Sequence, residues 1–273
     1  MKQLSKSELI VNSDGSVYHL GLRPEHLHST VITVGDPERV SSVTQHFDSI
    51  DFEIQNREFK TVGGSIGAKK MTVLSTGIGT DNVDIALNEL AFLLNYDLKT
   101  LKQRKINKTV DIIRLGTSGS VSKENSLGTI VYTKNAISFD DLFQFYAHDF
   151  DTLRFDERDY PITSCSKTLE SKFARYKPSL TLTAKGFYGP QFRNSQLPPK
   201  YTLQDLGSLS YKGTKVGNIE METAGIYGLS TLLGFDAISI NALLADRLNG
   251  QFSTNPQVVI NKMIREALDI VCG

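Results

Sequence analysis

Tryptophan is absent from this sequence of 273 residues, and cysteine occurs only twice, at Cys165 and Cys272. Two cysteines so far apart, with no Cys-x-x-Cys or Cys/His spacing, exclude a disulfide framework and offer no zinc pattern, so a reducing compartment is expected. Proline is scarce, at 8 residues. No Pro- or Ser-rich linker, internal repeat or low-complexity tract divides the chain, and one domain over residues 1–273 is the expectation. Net charge is missing as well, since 30 basic and 30 acidic side chains cancel. A nucleic-acid binder would carry a basic excess; any anionic ligand here must be held by local arginines. Long apolar runs are lacking too. The longest charge-free one in the C-terminal half covers residues 223–235, too short to cross a bilayer, and the N-terminus is polar where a secretory signal needs an apolar core. The expected location is the cytoplasm, with neither nucleic acid nor membrane as partner.

What is present is an alternation of strand-like and helix-like segments, the pattern of an α/β fold. Residues 30–34 form a β-branched run ended by Gly35-Asp36-Pro37. Asp36 suits an N-cap and Pro37 a first helical turn, so a helix to about residue 46 is predicted. Runs at 58–62 and 71–75 read as a hairpin joined through residues 63–67. Val83, Leu87, Leu90 and Leu94 recur at three- and four-residue steps, which predicts an amphipathic helix over residues 80–95. Further strands are expected at 109–115, 129–133, 179–183 and 237–244, a core helix at 221–233 and an amphipathic helix at 258–271. Residues 135–165 are polar, rich in aromatics and without a clear period.

Gly35, Gly77, Gly79, Gly116 and Gly119 follow strand-like runs at points expected to lead into helices, where free N–H groups and a helix dipole suit an anion. Each alone also reads as an ordinary turn. The dinucleotide fingerprint fails at residues 77–82 for want of its third glycine. The P-loop fails because no Gly-Lys-Ser/Thr follows, and a nucleophile elbow fails on spacing at residues 116–119. Two arginines accompany these turns. Arg39 lies in the first helical turn after Gly35, and Arg114 ends an apolar strand just before Gly116 and Thr117. Guanidinium groups beside free N–H groups and the Thr117 hydroxyl form a cradle for inorganic phosphate. Arg39 alone also reads as a solvated helix residue, whereas a charge such as Arg114 is rarely buried without a partner.

Seven strings in order carry a resemblance: Val17-Tyr18-His19-Leu20-Gly21-Leu22, Gly35-Asp36-Pro37-Glu38-Arg39-Val40, Arg57-Glu58-Phe59, Ser75-Thr76-Gly77-Ile78-Gly79, Arg114-Leu115-Gly116-Thr117-Ser118-Gly119, Phe187-Tyr188-Gly189-Pro190-Gln191-Phe192-Arg193 and Glu220-Met221-Glu222. Spread over residues 15–250, they are similar to the nucleoside phosphorylase-I family, in its uridine-cleaving members. The resemblance implies a single α/β domain whose mixed, distorted barrel-like sheet is flanked by helices. It implies phosphorolysis of uridine or deoxyuridine to uracil and the sugar 1-phosphate in pyrimidine salvage. Inorganic phosphate would be a co-substrate, with no cofactor and no metal, in a homodimer or hexamer with shared sites.

The same resemblance assigns Gly35, Arg39, Arg114 and Thr117 to phosphate, with Arg57 lent by a neighbouring subunit. Met221 and Glu222 become the ribose platform, with His19 reaching over from a neighbour. Phe187, Gln191 and Arg193 become the base site, and Arg193, Glu222 and Arg114 the catalytic residues. An amide side chain offers one donor and one acceptor to the uracil N3–H and a carbonyl, and Arg193 meets the other carbonyl. On their own, these residues also have plainer readings. Glu220-Met221-Glu222 can be charge at a helix N-terminus, His19 structural, and Gln191 and Arg193 solvent-facing.

The chain departs from the family at three places. Thr80-Asp81-Asn82 replaces the usual Gly-Pro-Ser, which removes the expectation of a monovalent cation beside Glu58 and Ile78. Residues 97–108, rich in lysine and arginine, read as an inserted solvated loop or a docking surface. Asp246-Arg247 stands where uridine-cleaving members have Asn-Arg. Asp246 is either a general acid for a purine N7 or an ion-pair partner of Arg247 or Arg193, and Arg247 resembles a support for the base-binding arginine. Purine phosphorolysis and a non-catalytic nucleoside-binding homologue are therefore the alternatives.

Overall fold

The computed structural model describes residues 2–105 and 108–273. Strand β1 (Thr30–Val34) is buried at every position, as a β-branched run with parallel neighbours on both sides must be. It leads into α1 (Pro37–Thr44), where Asp36 accepts from the Glu38 amide at 2.9 Å and Pro37 occupies the first turn. An antiparallel meander follows: β2 (Ser49–Asn56), β3 (Phe59–Ile66) and β4 (Lys69–Ser75). The hairpin is where the sequence places it, but Gly63 and Gly64 lie inside β3 and the turn falls at residues 67–68. These glycines serve close approach instead, since a Cβ on Gly63 would sit 2.1 Å from the Phe52 ring and one on Gly64 2.1 Å from the Ser49 carbonyl.

Helix α2 (Thr80–Asn95) has the predicted bounds, and Val83, Leu87 and Leu90 on its stripe are buried. The basic insertion is not a plain loop. It forms a small hairpin of β5 (Tyr96–Asp97) and β6 (Lys102–Gln103), with Asp97 accepting from the Lys99 and Thr100 amides. Its Lys99, Lys102, Arg104, Lys105 and Lys108 are solvent-exposed, and residues 106–107 of the insertion lie outside the described residues.

Strands β7 (Asp111–Ser120) and β8 (Ile130–Phe139) run well past their predicted ends. Gly116 and Gly119 therefore lie within a strand and start no helix, which corrects their reading as anion-binding turns. The unassigned stretch supplies the end of β8 and a hairpin of β9 (Thr152–Phe155) and β10 (Arg158–Ser164), followed by α3 (Lys167–Lys172). Then come β11 (Lys177–Ala184), α4 (Leu203–Leu206), β12 (Ser210–Tyr211), β13 (Thr214–Glu220), α5 (Thr223–Leu233), β14 (Asp236–Asp246), β15 (Gln251–Phe252) and α6 (Pro256–Cys272).

Ten strands join one mixed sheet in the order β12-β13-β11-β8-β14-β7-β1-β4-β3-β2, with β10 attached to β8, β9 to β10 and β15 to β14, while β5 and β6 pair apart from it. Residues 119–120 of β7 also pair antiparallel with β13, and this contact closes β7, β14, β8, β11 and β13 into a barrel. Closure explains the length of β7: its end has two partners, β13 and β14, and both lie far away in sequence. Two sets of helices flank the sheet, α1 and α6 on one hand, α2 and α5 on the other. Among the described residues no helix is long and apolar enough to cross a membrane.

Candidate active site

Strands β1, β4, β7 and β14 lie parallel where they pair, and the carboxyl ends of such strands are where α/β sheets hold ligands. A cavity of about 630 Å³ opens there. Gly35 reaches it from the end of β1, Arg39 from the first turn of α1, Arg114 and Thr117 from β7, and Met221 and Glu222 from the link between β13 and α5. Phe187, Gln191 and Arg193 enter from the loop after β11. These nine residues, all singled out in the sequence, thus line one space.

Arg114 is its most constrained group. Its side chain is buried; Nη2 pairs with Glu222 Oε2 and lies 3.2 Å from Glu220 Oε2, and Nη1 donates to Asn241 Oδ1 at 3.1 Å. Burial works against the charge, yet the two carboxylates outweigh it and push the Arg114 pKa above the ordinary arginine value. The guanidinium folds back over the β7 backbone, and a Cβ on Gly116 would fall 1.6 Å from Nη1. Gly116 is needed for that close approach.

The two carboxylates have different partners. Glu220 accepts from the Glu222 and Thr223 amides and from the Thr223 and Thr183 hydroxyls, so it answers the N-terminus of α5. Glu222 accepts from the Gly79 amide at 2.8 Å, which makes it the anion held by the Gly77–Gly79 turn. Burial pushes its pKa up against the pull of Arg114. Arg39 donates to the Leu115 carbonyl at 3.4 Å and has no carboxylate partner among the described residues. Burial, and then the charge of Arg114, push its pKa down. A bound anion beside Arg39 would offset both effects by favouring its charged form.

At the other end, Arg193 lies over the Phe187 ring at 4.0 Å and its Nε donates to the Phe187 carbonyl at 2.9 Å. Burial lowers its pKa. Gln191 is buried, and Arg247 donates to its backbone carbonyl at 3.0 Å. Arg247 thus supports the loop after β11 from behind without lining the cavity, and its pKa is pushed down to about 10 by burial and then by Arg193.

Three expected residues lie elsewhere. Asp246 does not line the cavity and forms no ion pair with Arg247 or Arg193 among the described residues. Instead it accepts from the Leu248 and Asn249 amides at 3.0 Å each and from Asn249 Nδ2 at 2.7 Å, closing the turn between β14 and β15. The Asn249 side chain holds its pKa below the ordinary carboxylate value, the wrong direction for an acid. His19 and Arg57 share a separate surface: His19 Nδ1 lies 2.7 Å from Glu89 Oε1, Arg57 donates to the Tyr18 hydroxyl at 3.3 Å, and Asn56 donates to the His19 carbonyl. Neither lines the cavity of its own chain.

Ser118 and Phe252 line the cavity and Asn241 holds Arg114, although no sequence motif gave them a role. Asn241 is a polar residue inside an apolar strand run, the same kind of signal as Arg114, whereas β7 and β15 bring Ser118 and Phe252 to the cavity only through tertiary pairing.

Comparison with known proteins identifies the family to which this fold belongs. The family model of the phosphorylase superfamily matches residues 29–271. A uridine phosphorylase of Thermococcus kodakarensis is 26% identical over 270 residues, covering 94% of this chain and 87% of its own length. A DeoD-type purine nucleoside phosphorylase of Alkaliphilus metalliredigens is 24% identical, covering 92% of this chain and 98% of its own. Among solved structures, a Trypanosoma brucei nucleoside phosphorylase described as showing uridine phosphorylase activity has a TM-score of 0.84 at 27% identity, over 96% of this chain and 99% of that one. The chain belongs to the phosphorylase superfamily, and within it to the nucleoside phosphorylases. Its relatives include both pyrimidine- and purine-named enzymes, so the choice of base rests on the site.

Proposed function

We propose that this protein cleaves uridine by phosphorolysis, releasing uracil and ribose 1-phosphate for pyrimidine salvage in the cytoplasm, with the whole chain as one catalytic domain. The observation that carries this reading is the meeting of Gln191, Arg193 and Phe187 with Arg39 and Arg114 in one cavity. Phosphate held by Arg39, Arg114, Thr117 and the Gly35 backbone attacks the anomeric carbon while the glycosidic bond lengthens through an oxocarbenium-like state. Glu222 and Met221 carry the sugar. Gln191 reads the uracil imide, and Arg193 stabilises the negative charge that gathers on the departing base. A hydrogen bond aimed at such developing charge is worth about 2.7 to 4 kcal/mol in well-studied sites. With inorganic phosphate as co-substrate, this chemistry needs no metal or cofactor.

His19 and Arg57 fit a shared site in a homodimer or a hexamer, since they lie side by side on a surface away from their own cavity. The purine alternative is disfavoured by Asp246, which is spent on a turn. A panel of nucleosides assayed with and without phosphate tests the reading. Uridine should be consumed only with phosphate, and Arg193→Ala or Glu222→Ala should abolish most of the turnover. Cleavage of inosine with uridine untouched would establish the purine reading, and tight uridine binding without turnover at any phosphate level would make the protein a binding homologue.

A further inference from the structure

The interior of the barrel is polar. Arg114, Asn241, Ser239 and Thr223 are each 4% exposed or less, and with Glu220 they close a ring of hydrogen bonds. Arg114 Nη1 donates to Asn241 Oδ1 at 3.1 Å, and Asn241 Nδ2 donates to Ser239 Oγ at 3.1 Å. Ser239 Oγ and Thr223 Oγ1 are 2.9 Å apart, and Thr223 Oγ1 donates to Glu220 Oε2 at 2.8 Å. Arg114 Nη2 returns to the same carboxylate oxygen at 3.2 Å.

The direction of every bond follows from its ends, because a guanidinium only donates and a carboxylate only accepts. Thr223 gives its proton to Glu220, so Ser239 gives its own to Thr223, and the Ser239 oxygen is left to accept from Asn241. The second amide hydrogen of Asn241 goes to Thr133 Oγ1 at 3.3 Å, which continues to Thr181 at 2.6 Å. The amide can stand in only one orientation, since a flipped one would set N–H against the guanidinium. Glu220 and Glu222 both hold Nη2, whereas Asn241 holds Nη1 and so fixes the plane of the group.

We propose that Asn241 is a positioning residue that orients the Arg114 guanidinium for the phosphate co-substrate through this ring, touching no substrate itself. Asn241 does not line the cavity. The inference rests on the assignment of Arg114 to phosphate made above.

Two variants test it, Asn241→Asp and Ser239→Ala, with the Michaelis constants for phosphate and nucleoside measured separately. Asn241→Asp keeps the shape and the acceptor facing Arg114 but loses the amide hydrogens and adds a third carboxylate. Its KM for phosphate should rise about 10-fold, the scale of one hydrogen bond to a charged group, because the new carboxylate competes with phosphate for the Arg114 guanidinium and the bonds to Ser239 and Thr133 that hold its plane are lost, while the KM for nucleoside stays within about twofold. The defect should shrink as the pH is lowered and the introduced carboxyl takes up a proton. Ser239→Ala should raise the KM for phosphate about 3-fold, the scale of one neutral hydrogen bond. Folded variants that keep the wild-type KM for phosphate, or that raise both KM values together, overturn the positioning role alone. If one variant fails to fold by circular dichroism, the other decides on the same criterion, and failure of both makes the ring structural and overturns it. A wild-type protein with no phosphate-dependent turnover overturns the proposed function first and this inference with it.

Discussion

Replacing Gly116 by alanine places one methyl group against the most constrained charge in the molecule. Gly116 lies in the extended run of β7, so the backbone accepts alanine, and the whole cost falls on its neighbour. The new Cβ would be 1.6 Å from Arg114 Nη1 and 2.4 Å from Cζ. The guanidinium must retreat by about 2 Å to reach ordinary contact. That breaks the bond to Asn241 and pulls Nη2 from Glu220 and Glu222. A hydrogen bond to a charged group is worth about 1.5–3 kcal/mol. Losing one such contact to phosphate should therefore lower kcat/KM for phosphate about 10- to 150-fold. Breaking a buried pair costs about 3–5 kcal/mol, and the melting temperature should fall by roughly 6–20 °C. Initial rates of base release with phosphate varied at saturating nucleoside, together with thermal melts, measure both. A cycle with Arg114→Ala sharpens the test, because without the guanidinium the methyl group has nothing to displace and the two effects cannot add. Wild-type kcat/KM and melting temperature in Gly116→Ala, or additive losses in the cycle, would refute the packing argument.

Arg247→Ala removes the donor to the Gln191 carbonyl and should raise the KM for uridine about 3- to 10-fold, with the KM for phosphate unmoved in steady-state kinetics. Asp246→Asn keeps an acceptor for the Leu248 and Asn249 amides and should leave turnover within about twofold, whereas loss of a general acid costs about 100-fold or more; a drop of that size would return Asp246 to the chemistry. Asp140 is buried, its Oδ2 has no partner among the described residues, and burial pushes its pKa up to about 6. With the folded value above the unfolded one, its contribution to stability is full in acid below the ordinary carboxylate range and is lost as the pH rises through 6. The loss is on the order of 3 kcal/mol. Denaturant titrations of wild type and Asp140→Asn at pH values from about 4 to about 8 should therefore diverge, the variant gaining relative stability with rising pH; parallel curves would show that Asp140 does not titrate in this window.

Some elements were legible because their signals are local. The Asp36-Pro37 cap and the stripe of Val83, Leu87 and Leu90 need only neighbouring residues to act, and α1 and α2 stand where they were expected. Arg114 was legible as a charge in an apolar strand that had to find partners. Strand ends were harder. Residues 116–120 look like a glycine-rich turn, and only pairing with β13 and β14 draws them into β7. Gly63 and Gly64 likewise resemble a loop until Phe52 and the Ser49 carbonyl show what their missing side chains leave room for. Asp246 misled for a related reason. An aspartate beside an arginine suggests an ion pair, but backbone amides two and three residues ahead captured it first.

Order and chemical type were written in the chain: alternating elements, two cysteines that form no bridge, and the strings of arginine, glycine, glutamine and glutamate that mark the family. Those properties follow from side-chain chemistry and short-range geometry. Closure of the barrel, the folding back of Arg114 over Gly116 and its capture by Asn241, Glu220 and Glu222, and the separation of His19 and Arg57 from their own cavity were not. They depend on contacts between residues distant along the chain, and such contacts exist only once the strands have paired.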